Sequence, residues 1–198
     1  MLRNTRPVVH LDGEWGLEIL TGSESSLATV VQVPGPWTLQ VPGCEDSHES
    51  VRYTRLFDAA ADERSVSYLV FDGVNHEAVV RLNGTEVGRH RGAWEPFELD
   101  VTQALRLGEN RLEVDVHYPP RLGTADTHGQ LDIPHGKQTW YGTTAGIWQS
   151  VRLEHRPATH LQGLRVSADA SRSLITLGAT VAGPLDGAVL SVGVEHDG

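Results

Sequence analysis

Residues 111–118, Arg-Leu-Glu-Val-Asp-Val-His-Tyr, alternate polar and apolar without a fault. That two-residue period belongs to a strand with one face on a core and the other in water. Runs of the same kind occur at 53–57, 65–71, 77–82, 97–101 and 147–153. Helix is scarce: no segment keeps apolar residues at i, i+3, i+4 and i+7 for three turns, and only 102–105 reads as a single helical turn. Turn residues punctuate the runs, namely Asp12-Gly13, Asn83-Gly84 and Gly108-Glu109-Asn110. Asn83-Gly84 lies between the runs 78–82 and 85–88, which predicts a two-residue hairpin turn with positive φ. Many short strands joined by turns predict an all-β, antiparallel sandwich or barrel.

Two segments break the rhythm. From 119 to 146 the chain reads PPRLGTADTHGQLDIPHGKQTWYGTTAG, with little regular pattern. A connection that long inside a compact domain is uncommon unless it is functional or disordered. Its aromatic, histidine and acidic content, with Asp126, His128, Asp132, His135, Trp140 and Tyr141, is too rich for a mere linker. The second break follows Glu154, where HRPATHLQG has the composition of a boundary. Beyond it, 164–166, 174–182 and 188–195 read as three more strands, separated by Ser171-Arg172-Ser173 and by 183–187.

The chain has 198 residues, enough for one full core and part of a second but too few for a catalytic barrel of about 250 residues plus anything else. Acidic residues outnumber basic ones by 26 to 16, a net charge of −10. This argues against nucleic acid or an anionic membrane surface as a partner. Cys44 is the single cysteine, so no intrachain disulfide and no multi-thiolate metal site is expected. The first residues hold no signal-like apolar run, and nowhere do about 18 apolar residues follow one another, so a soluble, cytoplasmic protein is expected.

The constellations that carry chemistry are mostly missing. Ten histidines include no His-x-His, His-x-x-x-His or His-Glu-x-x-His, so loop or surface histidines are expected and no metal. A Gly-x-Ser-x-Gly elbow, a phosphate-binding Gly-x-x-x-x-Gly-Lys and a dinucleotide fingerprint are absent, so no cofactor is expected. Nothing beside Cys44 in sequence would lower its pKa, which makes it an inert thiol. Glu113 and Asp115 share one strand face, but it is the polar one, so a solvated surface is expected and sequence alone supports no catalytic dyad.

Aromatic residues remain. Sugars present apolar C–H faces that stack on such rings, while their hydroxyls bond to Asp, His, Gln and Lys side chains. Trp15, in an apolar strand, belongs to a core. Trp37, in VPGPWTLQVPG, stands open between packing under a loop and contacting a ligand. Trp140 and Tyr141, with Lys137, Gln138, Asp132 and His135 around them, are candidates for a ligand or a partner domain, or for anchoring the loop.

Five stretches then carry a resemblance: LDGEWGLEI near the start, VPGPW at 33–37, YLVFDGVNHEAVVRLNGTEVGRHRGAWEPFELDVTQAL at 68–105, GENRLEVDV at 108–116 and PHGKQTWYGTTAGIWQSVRLE at 134–154. Their ordered series resembles the N-terminal sugar-binding domain of family 2 glycoside hydrolases, which include β-galactosidases, β-glucuronidases and β-mannosidases. The resemblance implies a galactose-binding-like jelly-roll β-sandwich over 1–157, then an immunoglobulin-like β-sandwich, then a TIM barrel holding the acid/base and nucleophile glutamates. It also implies that Asn83-Gly84 is a structural hairpin, that Asp100 or Thr102 caps the short turn, and that Gly146-Ile147 begins the last strand with Ile147, Val151 and Leu153 on one face. The loop before that glycine would reach the sugar subsite. Several members place a sugar-binding aspartate six residues before the glycine, where this chain has Trp140, which favours stacking or packing on the barrel.

Residues 158–198 are too few for an immunoglobulin-like sandwich, which takes about 100 residues and seven strands. The expectation is therefore an incomplete second domain in a truncated chain. Such a piece would leave an apolar face and open edges, leading to disorder, packing onto the first domain, or a homodimer through exposed strand edges. The implied partners are a β-glycoside in the full-length enzyme and an intramolecular TIM barrel; the chain alone is expected to be inactive. A stand-alone carbohydrate-binding module and a protein-interaction scaffold are the competing readings.

Overall fold

The computed structural model describes residues 7–20, 28–44, 50–60, 65–119, 144–187 and 189–193. Among them the one helical element is a 3-10 turn, Trp37–Leu39. The strands are β1 (Val8–His10), β2 (Gly13–Ile19), β3 (Ala28–Val33), β4 (Ser50–Ala59), β5 (Ser65–Phe71), β6 (Val74–Asn75) and β7 (Glu77–Leu82). They continue with β8 (Thr85–Arg91), β9 (Phe97–Asp100), β10 (Gly108–His117), β11 (Gly146–Ile147), β12 (Val151–Pro157), β13 (His160–Asp169) and β14 (Leu174–Ala182). The chain divides into two compact units, Met1–His155 and Arg156–Gly198.

The first unit is an antiparallel sandwich. One sheet has the order β3-β2-β4-β10-β7-β8, the other β1-β12-β5-β9, and β6 pairs separately with β11. The faultless alternation of 111–118 explains why β10 is central. It pairs with β4 from Gly108↔Ala59 to His117↔Ser50 and with β7 from Leu112↔Leu82 to His117↔Glu77. Its Leu112, Val114 and Val116 turn inward with Val51 and Tyr53 of β4, Val80 and Leu82 of β7, and Trp15 and Leu17 of β2. They meet Leu69 and Phe71 of β5 and Val151 and Leu153 of β12 in one core. Each such side chain contributes about 1.5–3 kcal/mol by leaving water. Trp15 lies edge-on to Tyr53 and donates its indole N–H to Leu11 O at 2.8 Å, satisfying the one polar atom of a buried ring.

The turn chemistry holds at Asn83-Gly84. Asn83 and Gly84 have φ of 53° and 83°, and Leu82 faces Thr85 across the hairpin. The Asn83 side chain does more than allow the turn: Nδ2 donates to Ala104 O and to Asn110 Oδ1, and Oδ1 accepts from Arg111 N. In the single turn that follows β9, Asp100 is the cap, its Oδ1 accepting from Thr102 N and Oγ1. On the outer face of the larger sheet Asp115 accepts from Arg52 and Arg81, and Glu113 pairs with Arg111. The solvated strand face is thus an ion-paired one.

Three expectations need correction. The run 147–153 is not one strand: β11 and β12 are separated because Ile147 pairs with Val74 while Gln149 N and Ser150 O bond back to Gly73 O and Asp72 N, carrying the chain from one ribbon to another sheet. Gly108-Glu109-Asn110 opens β10 rather than forming a turn, with Asn110 fully buried and bonded to Arg106 N, Arg106 O and Gly108 O. The boundary read after Glu154 agrees with the division of the chain into its two compact units, between His155 and Arg156, although β12 runs on to Pro157. Finally, of 188–195 the described residues 189–193 form no strand.

The second unit contains the hairpin β13–β14, longer than the run 164–166 suggested. Its cross-strand pairs sort into two faces. Leu164↔Ala179, Val166↔Leu177 and Ala168↔Ile175 share one, and Arg165↔Gly178 and Ser167↔Thr176 the other. Leu164, Val166, Ile175 and Leu177 are all exposed. These residues form a regular hairpin rather than an irregular tail, and the apolar face expected of an incomplete sheet is present.

Candidate functional site

Two residues of β6 organise one end of the sandwich. Val74 pairs with Ile147, and both sit wholly in the core. The next pair is Asn75 with Gly146. Gly146 has a φ of 96°, and a Cβ there would fall on the Tyr53 hydroxyl and lie 2.9 Å from Trp37 Cδ1. Only glycine lets the chain pass between those rings, and the passage brings Thr144 to Asn75, whose Nδ2 donates to Thr144 O at 2.8 Å.

Asn75 Oδ1, by contrast, is buried with no hydrogen-bond partner among the described residues. The same is true of both ring nitrogens of His76, a residue 6% exposed, and of His90 Nε2 on β8. Buried polar atoms are nearly always paired with protein or water, so each of these atoms is an available donor or acceptor. Burial holds the His76 imidazole below its ordinary pKa, helped by Arg91, His117 and His90 and opposed by Glu77. Burial does the same to His90, against Glu95. Both rings are therefore kept neutral, each able to donate one hydrogen bond and accept another. Among the described residues no set of three metal-ligating side chains converges.

The adjoining loop is fixed by its backbone. Gly92 N donates to His76 O, and Ala93 O accepts the indole N–H of Trp148 at 2.8 Å. Trp148 lies over Gly73, where a Cβ would come within 3.0 Å of the indole nitrogen. Trp94 meets Trp148 edge to face, centroids 4.9 Å apart at 73°, and is itself 43% exposed. The end as a whole offers neutral donors and acceptors beside an aromatic surface, the chemistry of a site for a polyhydroxylated ligand.

Of the residues singled out from sequence, Trp37 is placed and is fully buried, with its backbone N–H on Ala145 O. Its ring packs beside Gly146, and its indole nitrogen, like Asn75 Oδ1, is buried without a hydrogen-bond partner among the described residues. Trp140, Tyr141, Lys137, Gln138, Asp132 and His135 lie outside the described residues. Asn75, His76, His90, Trp94 and Trp148 were not singled out. A signal for one existed: continuing the alternation of β7 backwards from Ala78 puts His76 at an inward position.

A profile described as glycosyl hydrolase 2 galactose-binding domain-like matches residues 45–156, which contain this end of the sandwich. A β-galactosidase of Arthrobacter sp. strain B7 is 31% identical over 166 residues, covering 82% of this chain and 14% of that enzyme. A β-galactosidase of Thermoanaerobacter pseudethanolicus is 31% identical over 139 residues, covering 66% of this chain and 18% of its own length. The chain thus spans less than a fifth of the curated relatives it matches. Among solved structures, a β-galacturonidase from Eisenbergiella tayi bound to glycerol superposes with a TM-score of 0.64 at 26% identity, over 84% of this chain and 28% of that one. The β-glucuronidase of Ruminococcus gnavus does so at 0.72 and 16% identity, over 92% and 35%, a likeness of fold. With more than half of its length matched by that profile, the chain belongs to the glycosyl hydrolase 2 galactose-binding domain-like family.

Proposed function

We propose that this chain is the non-catalytic, sugar-binding N-terminal part of a longer retaining exo-β-glycosidase, and that its β6–β11 end shapes one wall of the sugar subsite. The observation that carries this reading is that Asn75 and His76 hold buried polar atoms unpartnered among the described residues, where Asn75 Nδ2 donates to Thr144 O. In this reading hydrolysis with retention takes place in a TIM barrel elsewhere in the protein, where one carboxyl protonates the leaving group and the other forms the glycosyl-enzyme. The jelly roll supplies orientation through hydrogen bonds to sugar hydroxyls. The small share of the relatives' length that the chain spans supports the idea of a part, and the hairpin β13–β14, with its apolar face, would be the first strands of an immunoglobulin-like sandwich. We place the whole protein in the cytoplasm and allow it a homodimer through strand edges.

The 198-residue chain is expected to release no nitrophenol from nitrophenyl β-galactoside or β-glucuronide above a mock preparation, and turnover above the mock would overturn the reading. The coding sequence beyond Gly198 is expected to encode a barrel with two carboxylate residues. A stop codon at that point in the natural gene would favour a self-sufficient binding module instead.

A further inference from the structure

We propose that Trp94, braced by Trp148, is a stacking platform for the apolar face of a neutral β-linked pyranoside, formed entirely by described residues of the first unit. The inference rests on the reading of this chain as a sugar-binding domain and names the ligand face that the domain recognises by itself.

Three observations lead there. Trp94 is the one large apolar side chain of β6, β7, β8 and the loop 92–96 that is exposed among the described residues. A protein partner would bury about 800 Å² on each side and centre on a cluster of such residues, whereas a single pyranose ring needs one indole. The ring is also held in advance: the edge contact with Trp148, the Trp148 bond to Ala93 O and the Gly92 bond to His76 O fix the loop that carries it. Binding then costs little ordering of the protein. Lastly, the residue that follows the platform in the chain is acidic, and its carboxylate lies on the same side of Gly92 as the His90 ring. Glu95 Oε2 and His90 Nε2 lie 2.9 and 3.1 Å from the point a Cβ on Gly92 would occupy, and the nearby Arg91 is engaged by Glu77 at 3.2 Å. A carboxylate there accepts hydrogen bonds from hydroxyls and repels a second carboxylate, so the platform selects a galactoside over a uronide.

The test is a titration of the 198-residue chain, followed through its tryptophan indole N–H resonances, with methyl β-galactoside and, separately, methyl β-glucuronide. The expected result is a saturable shift of the Trp94 and Trp148 signals with a Kd of about 1–10 mM for the galactoside, and binding at least about threefold weaker for the glucuronide. Trp94→Ala should weaken the galactoside about tenfold or more while the chain still unfolds cooperatively, its Tm lowered only by loss of the edge contact with Trp148, and Trp94→Tyr should restore most of the affinity. No shift at Trp94, a shift that survives Trp94→Ala, or a preference for the glucuronide would overturn the proposal. Each of those outcomes leaves the turnover experiment untouched, so a failed platform and a failed reading of the domain are told apart.

Discussion

At the scale of single residues, what the sequence announced and what it hid follow one rule: local chemistry is legible and long-range contact is not. Gly146 looks like any loop glycine, yet its space is set by Tyr53 and Trp37, roughly a hundred residues earlier. Gly146→Ala is expected to cost about 3 kcal/mol or more in urea unfolding, since it combines an unfavourable positive φ with a steric overlap that the two rings cannot relieve. A loss under 1 kcal/mol would show that the passage is looser than described. The neutral histidines give a pH signature. Unfolded, both titrate near 6.5; folded, both lie lower. The unfolded chain then binds more protons, so their contribution is whole above about pH 6.5 and is lost as the pH falls from there toward the folded values. Tm should drop between pH 7.5 and 5.2, and His76→Gln should flatten the drop; a flat wild-type profile would contradict it. Asp115 does not confuse this window. Burial opposes its ionisation, but the Arg52 and Arg81 guanidiniums outweigh that and hold it below the usual carboxylate range, so it titrates further down. Asn83-Gly84 was readable because a two-residue turn needs nothing beyond itself. Trp37 was not, because the prolines around it suit a buried loop and an exposed one equally.

Among the elements, the apolar-rich runs stood where the sequence put them: β5 and β7 match residue for residue, and the strictly alternating β10 is displaced only at its ends. The exception at 147–153 is instructive. Its pattern satisfies a strand, but the pairing partner changes from β6 to β1 between Ile147 and Val151, and a one-dimensional pattern carries no record of partners. The hairpin β13–β14 is the opposite case, correct as strands yet without a second layer of its own among the described residues. Two strands alone are marginal in water. Amide exchange should therefore be much faster across Leu161–Val181 pairs than across β4–β10 pairs, by at least about a hundredfold, as seen by mass spectrometry of the intact chain. Equal protection would mean that something covers the apolar face.

For the molecule as a whole, the sandwich and its family were legible together because the diagnostic stretches are the β-strands and turns of one core. The end of the sandwich that we connect with sugar was only half legible: the segment 119–146 drew attention by composition, while Asn75 and His76, which the structure brings beside Thr144, fell between the runs read as strands. One feature of that end reaches beyond this chain. Strand β10, which runs into Pro119, and β11, which follows Thr144, both contact the two-residue β6, so the segment between them departs and returns at the same post of the scaffold. Closing a loop on fixed anchors grows dearer only with the logarithm of its length. Evolution is thus free to lengthen, shorten or exchange 120–143 wholesale while the twin sheets stay as they are, and an engineer grafting a relative's segment between Pro119 and Thr144 would be repeating that experiment.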